Sequence, residues 1–425
     1  MRPIFRPRRS QKGAVIVTVA LFMLFLLGFM GIALDFGRLF IVRTELQTAM
    51  DACALAAAQE LDGQADSIAR AQSAGVTAGN ANRVNLQSAN WAGQPQLTPG
   101  SIVFRAADYT ATTVSNNARY AQCQHTQASI QLWLLQMLGA FSGDTALFPN
   151  TGSVGASAVA TRASSQTTCP LPLMLRPAPG GTAPNYGFQV GQWITLLNAQ
   201  NAAAGGQIGW ANLDGSNNAA ETEREMLGFC GTAIGDTLGT PGVQTSIADA
   251  WNYRFGIYRN ATNASEHSPD VSGYAYTATN WPSRFNAFNG PTPGGAHPTA
   301  QNFITKRAAY ASCADTGTRV RGAGSCEQIT GLSLNSFQSL ALPGPTAIGG
   351  HRTYGVRSRV ATVPVVDASN QVIDYACMFM LQPLTIPMSN VQLEFRGNAG
   401  TPGSPCTTSG LPGGNAGPLV PVLVR

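Results

Sequence analysis

The sequence predicts an α+β chain. An N-terminal transmembrane helix continues into a long helix beside a small sheet, and a β-rich, disulfide-containing C-terminal domain follows. Three observations carry this reading. Gly13 to Leu34 is an uncharged apolar run of 22 residues, about 33 Å as a helix against a hydrocarbon core of about 30 Å. No Pro or Gly interrupts Arg38 to Asp62, where Leu39, Leu46, Met50, Cys53 and Ala57 recur as one apolar stripe. Most of the 46 glycines and 26 prolines, and all eight cysteines but Cys53, lie beyond that helix, where tight turns and short strands are expected.

Residues 1–12 form a basic tail. Arg2, Arg6, Arg8, Arg9 and Lys12 stand there without an acid. With those five set aside from the 26 basic residues, 21 basic face 21 acidic ones, so the body is neutral and offers no electrostatic footprint for nucleic acid. Charged residues are only 11% of the chain, against about 25% in soluble domains. A single long apolar run nevertheless excludes a multispanning transporter. The positive-inside rule places the tail in the cytoplasm and residues 35–425 on the far side. A cleaved signal peptide is the competing reading. The run of residues 13–34 is longer than a signal core and flows into a helix without a break, which favours a retained anchor. The helix is expected to run from about Gly13 to Glu60, with Gly63 as its stop.

Within this segment the pattern Leu34-Asp35-Phe36-Gly37-Arg38, followed by Leu46-Gln47-Thr48-Ala49-Met50-Asp51-Ala52-Cys53-Ala54-Leu55-Ala56-Ala57-Ala58, resembles the N-terminal region of TadG-like proteins of the tight-adherence (Flp-type) pilus assembly system. The motif residues are Asp35, Gly37, Arg38, Leu46, Gln47, Ala49, Asp51 and Leu55. The resemblance implies a bacterial inner-membrane protein with pilus or secretion-system partners, and homo- or hetero-oligomers formed through the N-terminal helix. Two features depart from related proteins. The prepilin peptidase site needs a Glu five residues after its Gly, and Thr18 stands there after Gly13. The metal motif D-x-S-x-S of the von Willebrand factor A domain is only approached, at Asp270-Val-Ser272-Gly-Tyr274 and Asp367-Ala-Ser369-Asn-Gln371. The same residues also read as a generic anchor followed by an alanine-rich helix, Ala being the strongest helix former.

Residues 35–163 are expected to form a pilin-like α+β unit. Its elements are a short polar helix over Asp66–Ala78, strands at Ser101–Ala107, Arg119–Gln124 and Ser153–Arg162, and a helix through Ile130, Leu134, Met137 and Leu138 ending at Gly139. Ala163–Thr168 reads as a Ser/Thr-rich linker into a β-rich domain, 164–425. Strand candidates there are Gly187–Gly191, Arg352–Val366, Gln371–Met380, Val391–Phe395 and Leu419–Val424, with Gly397–Pro418 a Gly/Pro-rich loop. Asp367-Ala-Ser-Asn370 is a good hairpin connection between two of them.

Cys53, Cys123, Cys169, Cys230, Cys313, Cys326, Cys377 and Cys406 all fall on the expected outer side, where disulfides form. Eight cysteines allow 105 connectivities. Two fall in the first outer unit and six in the second, which favours the sequential pairs 53–123, 169–230, 313–326 and 377–406. Cys53 alternatively serves only as a small buried residue of the helix stripe.

No G-x-S-x-G, Walker A, H-E-x-x-H, S-x-x-K or C-x-x-C motif is present, and His125, His267, His297 and His351 are dispersed. No catalytic residue, cofactor or metal site is therefore expected. Asp214 to Glu221 gathers oxygen ligands without EF-hand spacing and reads as a turn before a charged helix. Trp193, Trp210, Trp251 and Trp281 read as core aromatics, with a glycan platform as the alternative. The expected function is a non-enzymatic, membrane-anchored component or accessory of pilus assembly, in a pseudopilin-like or scaffold role. Alternatives are an anchored periplasmic enzyme acting on cell-wall polymers and a surface adhesin with a lectin-like C-terminal domain.

Overall fold

A computed structural model describes residues 12–63, 65–144, 146, 148–197, 204–241, 246–291, 301–313, 315, 319–343, 349–406, 411–414 and 416–424. The tail residues Arg2, Arg6, Arg8 and Arg9, and His297, lie outside these. The chain divides into two compact units, Met1–Arg162 with Pro421–Arg425, and Ala163–Val420.

The first unit is built on α1, Lys12–Gln59, about 72 Å long at 1.5 Å per residue. Its first half is apolar on all sides and exposed, and it is long and apolar enough to cross a membrane. Its second half buries one stripe, Val42, Leu46, Ala49, Met50, Cys53 and Ala57. Helix α2 (Ser67–Asn80) lays its small face of Ser67, Ala71, Gly75 and Gly79 on that stripe. The approach is close enough that a methyl group on Gly79 would sit 3.1 Å from Cys53 Cβ and 3.3 Å from the Ala49 carbonyl. Strand β1 (Ile102–Arg105) pairs antiparallel with β2 (Tyr120–Gln131), and β2 with β3 (Thr151–Ser164). Helix α3 (Trp133–Ser142) connects β2 to β3 at the tip of their hairpin.

Here the structure departs from the sequence reading. Ile130 is the buried end of β2, not part of α3, and α3 runs through Gly139 to a left-handed Gly143 at φ 72°. Nor is Ala163–Thr168 a linker. Ala163 and Ser164 belong to β3, while Ser165 and Thr168 are buried and bridge to Pro412 and Thr232.

The second unit is a closed barrel. Strands β4 (Leu173–Leu175), β5 (Trp193–Leu196), β6 (Ile208–Trp210), β9 (Val360–Val366), β10 (Val372–Met380) and β11 (Val391–Asn398) close in the order β10-β11-β5-β6-β4-β9. The small pair β7 (Ile257–Tyr258) and β8 (Ser339–Leu340) stands apart. Helices α4 (Ala219–Gly228), α5 (Ile247–Tyr253), α6 (Phe303–Ala308), α7 (Cys326–Thr330) and α8 (Gly350–Thr353) lie in the long connections.

Strand β10 is buried on both faces. Ala376, Met378 and Met380 join the barrel core, and the residues alternating with them, Tyr375, Cys377 and Phe379, enter two flanking clusters. This is the period-2 alternation of a strand with no solvent face. The β9–β10 hairpin turns at Asp367–Asn370, where Asn370 takes φ 62°. The expected strand at Gly187–Gly191 is instead a turn, since both glycines hold positive φ. Of Arg352–Val366, only Val360–Val366 is strand, and α8 occupies its start.

The last strand, β12 (Leu419–Leu423), completes the sheet β1-β2-β3-β12 and not the barrel. Four disulfides join Cys53–Cys123, Cys169–Cys230, Cys313–Cys326 and Cys377–Cys406.

Candidate functional site

The motif residues of α1 form a continuous set of attachments along the helix. Asp35 is 5% exposed although it follows directly on the apolar run. Its carboxylate accepts hydrogen bonds from the backbone N–H groups of Leu134 at 3.0 Å and Leu135 at 2.7 Å. These are orphan donors of α3, whose own preceding residue, Leu132, supplies no side-chain cap. A carboxylate from another helix therefore does the work of an N-cap, with the α3 dipole adding to it.

One turn further along α1, the Arg38 guanidinium lies 4.5 Å above the Trp133 ring and donates to the Gln131 carbonyl at 3.1 Å. Gln47 donates to the Ser157 carbonyl of β3 at 3.0 Å and to Asp51 at 2.8 Å. Leu46 and Ala49 are buried, Leu55 packs at the edge of the same core, and Cys53 is bonded to Cys123 of β2. Gly37 has open space where a side chain would stand. It shares the outward face with Phe36 and Phe40, 54% and 69% exposed. One face of α1 thus holds its own sheet and α3, and over Phe36–Ile41 the opposite face is apolar and bare, giving way to exposed Arg43, Thr44 and Thr48.

A polar cleft of about 900 Å³ opens beside α1, bordered by Arg43, Gln47, His125, Thr126 and Ser157. Burial holds the His125 imidazole below its ordinary pKa, so it is neutral at pH 7. It stands edge-on to Trp91, and the lining carries the hydroxyls of Thr98, Ser101, Thr126 and Ser157 but no carboxylate. That arrangement suits contact with neutral polar groups and lacks an acid–base pair.

In the second unit several of the charged residues are committed to the fold, while the buried His351 ring has no hydrogen-bond partner on either nitrogen. Asp270 accepts from the backbone of Ser272, Ser358 and Arg359 at 2.7–3.0 Å. Asp367 accepts from Ser369 and Gln371 within its hairpin turn at 2.8 and 2.9 Å. Both Asp-x-Ser segments therefore bond their own backbone. The Arg359 guanidinium, fully buried and pushed down to about pKa 10 by that burial, donates to the carbonyls of Ser272, Tyr274 and Met380. It stacks on Phe255, Phe303 and Phe379.

Glu394 is raised by burial and receives hydrogen bonds from the Trp193 indole and Arg396. Glu225 of α4 accepts from the Leu213 and Asp214 N–H groups, so the oxygen-rich segment is a turn through Asn218, the N-cap of α4, followed by the first residues of that helix. Among the described residues no group of three His, Cys, Asp or Glu side chains is placed to hold a metal ion. A cavity of about 300 Å³ lies by Tyr258, Thr262 and Ser265. The hydroxyls of these three donate to His267, Arg259 and Asn263 respectively. Trp193, Trp210, Trp251 and Trp281 are all buried and present no stacking platform to solvent.

The capping role of Asp35 and the part played by α3 were beyond sequence reasoning, because the partners are 99 and 100 residues apart. Comparison with known families gives one finding. The model of the Tad family, described as "Putative Flp pilus-assembly TadE/G-like", matches residues 13–60. No curated protein and no solved structure matches the chain.

Proposed function

We propose that this chain is a non-enzymatic, membrane-anchored component or accessory of Flp pilus assembly, in a pseudopilin-like or scaffold role. Residues 13–34 of α1 hold it in the bacterial inner membrane, with the basic tail in the cytoplasm and both units on the periplasmic side. The observation that carries the reading is the coincidence of the matched family segment, residues 13–60, with α1 at Lys12–Gln59. The family motif in this chain serves attachment: Asp35, Arg38 and Gln47 fasten the helix to its own hairpin. The bare face at Phe36, Gly37 and Phe40 remains for a partner helix, where a glycine allows close backbone approach.

Two further observations support a binding role over catalysis. The buried carboxylates Asp270 and Glu394 of the second unit are held by structural hydrogen bonds. The cleft beside α1 has one charged lining residue, Arg43, and no carboxylate to orient His125 as a base. Capture of partners by the membrane-extracted full chain tests the proposal. Retention of pilins or of pilus platform proteins, lost on Phe40→Glu, is expected. Turnover of cell-wall polymers, or glycan retention with no pilus protein bound, would replace it with the enzyme or adhesin alternative.

A further inference from the structure

The anchor is not the only apolar surface at the membrane-proximal end of the first unit. Helix α3 has the sequence WLLQMLGAFS, ten residues without a charge. That length is too short to span a bilayer and typical of an interfacial segment. Trp133 and Met137, four residues apart and so on one face, are each 62% exposed, with Gln136 and Ala140 exposed beside them. An apolar pair of this size is costly to leave in water, and the position of α3 along α1 says what covers it.

Leu134 packs on Gly31, where a methyl group would lie 3.1 Å from Leu134 Cβ. Gly31 is three residues, about 4.5 Å, inside the end of the charge-free run at Leu34. Asp35 caps α3 and Arg38 stacks on Trp133. The first turn of α3 is thereby fixed between the levels of Gly31 and Arg38, a span of about 10 Å along α1. If α1 crosses the bilayer, that is the level at which acyl chains give way to headgroups. Trp favours this zone, and an Arg beside it reaches outward to phosphate.

We propose that α3 is a second membrane-contacting element. It lies in the outer-leaflet interface beside the anchor, with Trp133 and Met137 against lipid acyl chains and Asp35 as the pin that holds it there. The β2–β3 hairpin then rests on the bilayer through its tip, and the first unit has a fixed height and tilt on the membrane instead of swinging on a single rod. The proposal rests on the reading of α1 as a membrane span and goes beyond it.

Every cysteine of the chain is paired, so an added cysteine is the only reactive thiol. Met137→Cys, Phe22→Cys and Asn116→Cys are each spin-labelled in the full chain and reconstituted in phosphatidylcholine–phosphatidylglycerol vesicles. Collisions with oxygen and with a water-soluble nickel chelate are then compared. The label at 137 is expected to favour oxygen several-fold over the label at the exposed Asn116, and to lie shallower than the label at 22. Trp133 is the exposed tryptophan, the other five being buried. Fluorescence quenching by lipids brominated near the glycerol end is therefore expected, and expected to vanish in Trp133→Phe.

A label at 137 as open to nickel as that at 116, with the label at 22 embedded, overturns the interfacial role and leaves the anchor standing. Shielding at 137 from both reagents means a protein partner covers α3, which also overturns it. If the label at 22 itself meets nickel, the membrane span fails, and this proposal fails with it.

Discussion

Replacing Asp35 with Ala removes the acceptor for two amide groups at the start of α3. The side chain is 5% exposed, and the two N–H groups have no substitute within α3 because Leu132 offers none. An N-cap replaced by Ala costs about 0.5–2 kcal/mol, and a hydrogen bond to a charged group contributes about 1.5–3 kcal/mol. These overlap for one carboxylate, and a combined loss of about 2–4 kcal/mol is expected, borne locally by α3.

Each 1.4 kcal/mol is a factor of ten, so amide exchange in residues 133–137 should accelerate roughly 30- to 700-fold. Asp35→Asn keeps one acceptor oxygen and loses the charge, and should fall between wild type and Asp35→Ala. Asp51→Ala removes only the half-buried bond from Gln47 and should leave exchange in α3 unchanged. Hydrogen–deuterium exchange by mass spectrometry on the full chain in nanodiscs reads all three. Exchange in Asp35→Ala within about threefold of wild type, less than 1 kcal/mol by the same conversion, would refute the capping role.

Three further outcomes follow from the packing. The Cys53–Cys123 bridge closes a separation of 70 residues and Cys313–Cys326 one of 13. Loop entropy then predicts losses of about 4 and about 3 kcal/mol when each pair is replaced by Ala. Urea midpoints that rank the two the other way would count against the loop-length account. Gly79→Val drives a side chain against Leu97, Cys53 and the Ala49 carbonyl and should cost about 1–3 kcal/mol or more. Gly37→Ala, in open space, should gain up to about 1 kcal/mol from helix propensity, and equal unfolding midpoints for the two variants would contradict this.

His351 is fully buried, and burial lowers its pKa to about 4. The unfolded chain therefore binds the proton first as pH falls, and stability on the order of 3 kcal/mol is lost between pH 6.5 and 4. Glu225 and Glu394, raised by burial, act in the opposite sense. The His351 contribution is thus read as the difference between wild type and His351→Gln, and a difference that stays constant over that range would exclude it.

What the sequence makes legible is whatever one local pattern decides. The charge-free run and the uninterrupted stripe through Leu46, Met50, Cys53 and Ala57 fix α1 almost to its ends, because length and periodicity act within one segment. Asp367-Ala-Ser-Asn370 marks the β9–β10 hairpin by turn chemistry in the same way. The barrel strands Leu173–Leu175, Trp193–Leu196 and Ile208–Trp210 were hidden. They are three or four residues long and almost wholly buried, so they show no alternation. Gly187–Gly191 misled in the other direction, since Phe188 and Val190 alternate as a strand would while the flanking glycines bend the chain. The site itself was half visible. Asp35, Arg38 and Gln47 stand out as a motif, but their partners Leu135, Trp133 and Ser157 come from a hairpin whose place beside α1 no local pattern reports.

The central claim is that α1 crosses the membrane with its basic tail inside and both units outside. Because the native cysteines are all paired, a single added thiol reads the side of the membrane directly. Asn116→Cys should react with a membrane-impermeant maleimide on intact spheroplasts, and Arg8→Cys only after the membrane is opened. Labelling of position 8 from outside, with position 116 protected until lysis, would contradict the account.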